Sequence, residues 1–90
     1  TSLCRPSLAT LLTGRYPHEH RICGNDPLPG RPRDSLLHHV RRWETLPKWL
    51  ATRGYLSFQT GKWWEGAPAE GGFTHAMSHG DPTRGGRHGD

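Results

Sequence analysis

Thr45-Leu46-Pro47-Lys48-Trp49-Leu50-Ala51-Thr52-Arg53-Gly54-Tyr55-Leu56-Ser57-Phe58-Gln59-Thr60-Gly61-Lys62 is the run on which the fold class turns. Thr45 suits an N-cap, and Pro47 falls in the first turn, where a missing N–H costs nothing. Leu46, Trp49 and Leu50 share one helical face, and Gly54 supplies a stop. The spacing predicts a helix over about 46–53. The aromatic and apolar run Tyr55–Thr60 then reads as a strand over about 55–60. Helix, tight turn and strand make half of an α/β unit, whose working loop leaves the carboxyl end of the strand at Gly61-Lys62.

Upstream, Leu8, Leu11 and Leu12 recur at i, i+3 and i+4, with Pro6 ahead of them and Gly14 behind. That pattern predicts a short helix over about 6–13, with Cys4 just before it. From Arg15 to Arg33 four prolines, together with Gly24, Asn25, Asp26 and Gly30, read as loop. Residues 34–42 allow one more helical turn. From Gly66 onward small residues, Gly and Pro dominate, and the reading is loop without repeats.

The 90 residues are 31% hydrophobic, with 12 glycines and 8 prolines. Mean hydropathy is −0.84. So few large apolar groups offset little chain entropy. The chain opens on Thr1, its sole methionine is Met77, and it closes on a glycine-rich run. It is read as a piece of a longer catalytic domain, truncated at both ends. Two of the twelve basic residues are lysines, Lys48 and Lys62, and the other ten are arginines, for a net charge of +4. That surplus suits acidic ligands in general. The arginines are scattered and lack the clustered stripe of a nucleic-acid module, so no nucleic-acid partner is expected. No apolar run reaches the ~18 residues of a membrane span. Cys4 and Cys23 make no disulfide framework. The pairs His18/His20, His38/His39 and His75/His79 lack the third and fourth ligands of a structural zinc site.

Cys4 sits where a helix N-terminus presents backbone N–H groups and a favourable dipole to anions. A lone cysteine is more often a buried packing residue. The surrounding string points further. Cys4-x-Pro6-Ser7, then Leu11-Leu12-Thr13-Gly14-Arg15 and Tyr16-Pro17-His18, resembles the sulfatase signature. Thr45-Leu46-Pro47-x-x-Leu50-Ala51-x-x-Gly54-Tyr55 and Thr60-Gly61-Lys62-Trp63 resemble two later motifs of the same family, in the right order. Gly72-Phe73-Thr74-His75 with Gly85–Asp90 resembles a subgroup from environmental bacteria.

That resemblance implies an alkaline-phosphatase-like α/β/α sandwich, of which this segment would be part. It implies that a maturation enzyme oxidises Cys4 to formylglycine, whose hydrate, with calcium, attacks the sulfur of a sulfate ester and expels the alcohol. Loss of a proton from the second hydroxyl would then eliminate sulfate and restore the aldehyde. Lys62 matches the family lysine that holds a sulfate oxygen. Position 4, once converted, would also be a calcium ligand, with the remaining ligands outside the segment. The substrate would be an aryl or carbohydrate sulfate, and a periplasmic or secreted location would follow.

Two positions depart from the family pattern. Leu8 stands where an arginine usually supports the formylglycine and its maturation, and Trp64 where a histidine usually follows Lys-Trp. Arg15, His18 and His20 are the candidate substitutes if the chain folds back toward Cys4. Arg5, beside the nucleophile, is a candidate substrate contact. Trp63 and Trp64 are candidates either for an aromatic wall of the substrate pocket or for plain packing. A phosphate or phosphonate ester hydrolase of the same superfamily, and an inactive relative that binds sulfated glycans, are the competing readings.

Overall fold

The computed structural model describes residues 2–32, 35 and 37–77. Helix α1, Cys4–Thr13, begins two residues earlier than the apolar spacing predicts. Leu3 is its N-cap in extended geometry, and Gly14 ends it in the left-handed region at φ 67°, its N–H donating to the Thr10 carbonyl. The stretch read as loop contains one helical turn, α2, Pro17–His20. Pro17 opens that turn, and Glu19 accepts the Tyr16 N–H at 3.0 Å, which a composition reading overlooks. Residues 37–42 form α3, Leu37–Arg42, while most of the preceding turn of the 34–42 reading lies outside the described residues.

Helix α4, Leu46–Ala51, is capped by Thr45 as expected, its hydroxyl accepting the Lys48 N–H at 3.3 Å. It stops at Ala51 rather than 53, and the chain turns over Thr52–Gly54, with Gly54 at φ 81°. The predicted strand shrinks to β1, Phe58–Gln59. A partner strand β2, His75–Ala76, pairs with it in parallel, Phe58 opposite His75 and Gln59 opposite Ala76. β2 and a 3₁₀ turn over Pro68–Gly71 both lie in the stretch read as loop. Side chains set this pairing up. The Thr74 hydroxyl accepts from the Ser57 N–H at 2.7 Å and donates to the Ser57 carbonyl at 2.8 Å. The architecture among the described residues is thus mixed α and parallel β, as α/β folds require.

The core is unusual in composition. Ala9, Ile22, Val40, Trp63 and Trp64 are buried, but so are Arg5, His20, Thr45, Gln59 and Glu65. The apolar stripes that announced the helices face elsewhere. On α1 the buried residues are Arg5, Pro6 and Ala9, while Leu11 is 75% exposed. On α4 it is Pro47 that is buried, while Leu46 and Trp49 are exposed. Leu11, Leu12, Leu46 and Trp49 instead line an open groove of about 390 Å³ between the two helices. Periodicity therefore located the helices but not the side on which each meets its own segment.

Trp63 packs edge-on against Phe73, ring centroids 5.4 Å apart at 89°. Gly71 is required beneath it, because a Cβ there would collide with the indole. The Thr45 hydroxyl donates to the Gly71 carbonyl and so ties the start of α4 to the 3₁₀ turn. Lys48, one turn into α4, donates to the carbonyls of Val40 at 3.0 Å, Arg41 at 3.3 Å and Trp43 at 2.9 Å. Its three N–H bonds thus cap the C-terminal end of α3.

Candidate active site around Cys4 and Lys62

Cys4 occupies the first position of α1, and its thiol is exposed. The N-terminal donors of this helix are partly committed already. Pro6 has no N–H, and the Arg5 N–H donates to Asn25 Oδ1 at 2.9 Å. The dipole still points at Cys4, but the row of vacant amides that an isolated helix would present is interrupted.

Lys62 follows β1 through Gly61, which sits at φ 81° and whose carbonyl accepts the Gln59 amide at 2.8 Å. This loop leaves the carboxyl end of the strand, as the α/β reading requires. Lys62 is exposed and lines a cavity of about 210 Å³ with Leu8, Leu12, Phe58, Trp63 and Phe73. Leu8 lies four residues after Cys4, and therefore on the same helix face one turn further on. The two motif segments, far apart in sequence, meet at one cavity.

The remaining candidates separate. Arg5 is 2% exposed, and its guanidinium grips Glu65, Nε to Oε1 and Nη2 to Oε2 both at 2.7 Å. Nη1 donates to the Asn25 carbonyl at 3.2 Å. The expectation of a substrate contact gives way here, since the guanidinium is turned inward and its fork is spent on Glu65. Trp63 borders the cavity from a buried position, and Trp64 is buried without lining it. The packing alternative therefore describes Trp64 better than the aromatic wall.

His20 is fully buried between α1 and α2. A backbone N–H can only donate, so the 3.1 Å bond from the Ile22 N–H makes His20 Nδ1 an acceptor. Its Nε2 then carries the proton and donates to the Thr10 hydroxyl at 3.0 Å. Burial pushes the His20 pKa below its ordinary value, while the Pro6 carbonyl and Glu19 oppose that in part. It is a neutral staple holding α2 along α1. Arg15 and His18 lie with Glu19, Arg21, Arg42 and Trp43 around a separate open cleft. The Arg15 guanidinium sits 4.2 Å over the Trp43 ring, and His18 stacks on Tyr16 with ring centroids 6.1 Å apart. The chain does fold back along α1, but the residues that reach its first turns are His20 and Asn25.

Asn25 and Glu65 were missed in the sequence. A carboxylate in a Gly-flanked loop reads as solvated, and nothing local marks it as the partner of an arginine 60 positions away. No group of three or more His, Cys, Asp or Glu side chains that could hold a metal occurs among the described residues. These residues alone do not constitute a calcium site.

The family model for sulfatases matches residues 1–84. This chain belongs to the sulfatase family. Human N-acetylglucosamine-6-sulfatase is 37% identical over 78 residues, which is 83% of this chain and 14% of that protein. The goat (Capra hircus) enzyme of the same name is equally similar over the same shares. Human arylsulfatase A is 40% identical over 72 residues, covering 80% of this chain and 13% of its own length. No solved structure matches. The sulfatase segment thus spans about 14% of the curated relatives it matches. These relatives are mammalian and lend no support to a bacterial assignment; of the two stretches that suggested one, Gly72–His75 and Gly85–Asp90, the second lies outside the described residues.

Proposed function

We propose that the protein carrying this segment hydrolyses sulfate monoesters, with Cys4, converted to formylglycine, as the nucleophile and Lys62 as the cation that neutralises charge on the sulfate group. The observation that supports this reading is the cavity in which Lys62 meets Leu8, one helical turn from Cys4. A lysine ammonium is the kind of fixed positive charge that stabilises a tetrahedral oxyanion, and in this reading Lys62 supplies it. In sulfatases calcium supplies further positive charge to that group when bound, and its acidic ligands would come from outside this segment. Here Trp63 and Phe73 give the cavity beside Lys62 an aromatic border. The whole protein would be an alkaline-phosphatase-like α/β/α sandwich, and the parallel β1–β2 pair is consistent with its sheet.

The names of the relatives, an N-acetylglucosamine-6-sulfatase and an arylsulfatase, span carbohydrate and aryl esters. Either class remains within this proposal. No observation favours a phosphate ester or a non-catalytic glycan binder. The test is to co-express the full-length protein with a formylglycine-generating enzyme, identify residue 4 by mass spectrometry, and assay aryl and carbohydrate sulfates. Conversion with turnover, abolished in Cys4→Ala, is expected. Unmodified cysteine throughout, or conversion without hydrolysis of any sulfate ester, would reject the proposal.

A further inference from the structure

The Arg5–Glu65 pair is the least expected feature of the core. Both side chains are almost completely buried, at 2% and 3% exposure, and the contact is bidentate. Taking two charges out of water is costly, and well-packed apolar residues of similar volume often serve stability as well or better. What the ion pair supplies that a hydrophobic contact does not is direction. Two parallel N–H···O bonds fix distance, plane and rotation together, whereas apolar contacts tolerate sliding.

Its position gives that rigidity a use. Arg5 is the neighbour of Cys4 in the first turn of α1, and Glu65 is the third residue after Lys62. Trp63 and Trp64, the residues between, are both buried, so the Lys62 loop cannot swing without moving them. Asn25 completes the arrangement from a third segment, accepting the Arg5 N–H through its side chain and the Arg5 guanidinium through its carbonyl.

We propose that Arg5 and Glu65, with Asn25 as a brace, are positioning residues that set the separation between the side chain at position 4 and the Lys62 ammonium. This rests on the assignment of Cys4 and Lys62 as the reacting pair, but the geometry it asserts is measurable without turnover. A misplacement of about 1 Å in such a pair costs on the order of 10²-fold in rate.

The experiment uses the full-length protein in two forms. In the unconverted form, a short thiol-to-amine cross-linker is applied and the Cys4–Lys62 linked peptide is quantified by mass spectrometry. In the converted form, kcat and KM are measured on an aryl sulfate. Glu65→Gln, which keeps shape but loses the charge-assisted fork, is compared with the apolar double variant Arg5→Met/Glu65→Leu. Both are expected to lower the cross-link yield at least about threefold and kcat about 10- to 100-fold, with KM within about twofold. The double variant is expected to do so with its unfolding midpoint close to wild type. A double variant that keeps wild-type cross-linking and kcat would show the pair to be packing only, and overturns the proposal. So does a wild-type protein in which Cys4 and Lys62 cannot be linked, whatever its activity. If wild type is cross-linked and the variants are not, while no sulfate ester is hydrolysed, the clamp stands and the hydrolase reading falls.

Discussion

At the scale of single residues, burial and hydrogen-bond direction decide roles that residue type alone leaves open. Lys62 and Lys48 are the two lysines of the chain, and they do opposite things. Lys48 places its three donors on the end of α3, whereas Lys62 borders the cavity near Leu8. Lys62→Ala is expected to lower kcat/KM by about 10²–10³-fold on sulfate esters, the usual effect of removing one charge-stabilising donor. Steady-state kinetics on the converted full-length protein check this, and a loss below about fivefold would remove Lys62 from the site. His20 makes a prediction about pH. It is neutral in the fold, and burial holds its pKa below the ordinary 6.5. As the pH falls through that value the unfolded chain takes up a proton that the folded chain resists, so stability declines on acidification. Above it, this contribution is complete. Urea unfolding between about pH 7 and about pH 5 should therefore show a shallower decline in His20→Gln than in wild type.

At the scale of elements, the joints between segments are polar and specific. Thr45 caps α4 and at the same time holds the 3₁₀ turn through the Gly71 carbonyl. Thr45→Ala removes both and is expected to cost about 1–2 kcal/mol in chemical denaturation. Lys48→Met keeps the aliphatic stem but leaves three carbonyls at the end of α3 without this donor, for an expected loss of about 1–3 kcal/mol. The Arg41–Glu70 pair, 2.9 Å long, bridges α3 to the 3₁₀ turn at the surface. Screening there should hold Arg41→Ala below about 1 kcal/mol. A larger loss in Arg41→Ala than in Lys48→Met would reverse this ranking of joints.

At the scale of the molecule, the segment turns much of its apolar surface outward. Leu11, Leu28 and Leu56 are each at least 75% exposed, and Phe58 on β1 is 62% exposed. A two-residue pair of strands is too small to be stable alone. The curated relatives are several times the length of this segment, and the expectation is that further chain covers these faces in the full-length protein. In the full-length protein, hydroxyl-radical footprinting is expected to label Leu11, Leu56 and Phe58 weakly despite these exposures. Strong labelling at all three would mean that these faces meet solvent in the whole enzyme.

The sequence alone determined helices α1 and α4 and the family, but not the short turns at Pro17–His20 and Pro68–Gly71. Gly14, Thr45 and Pro47 mark helix ends by rules that act within a few residues, and the Cys4 and Lys62 motifs need only their own neighbours to be read. It did not determine which side of each helix packs, because Arg5, Pro6, Ala9 and Pro47 are the buried residues while Leu11, Leu46 and Trp49 are exposed. Nor did it reveal β2, whose pairing depends on Ser57 and Thr74 meeting across 17 positions. The same limit hid the partners of Arg5 and His20. A buried charge or a neutral imidazole is tolerated only where its hydrogen-bond partners converge, and that convergence is a property of the folded chain in three dimensions.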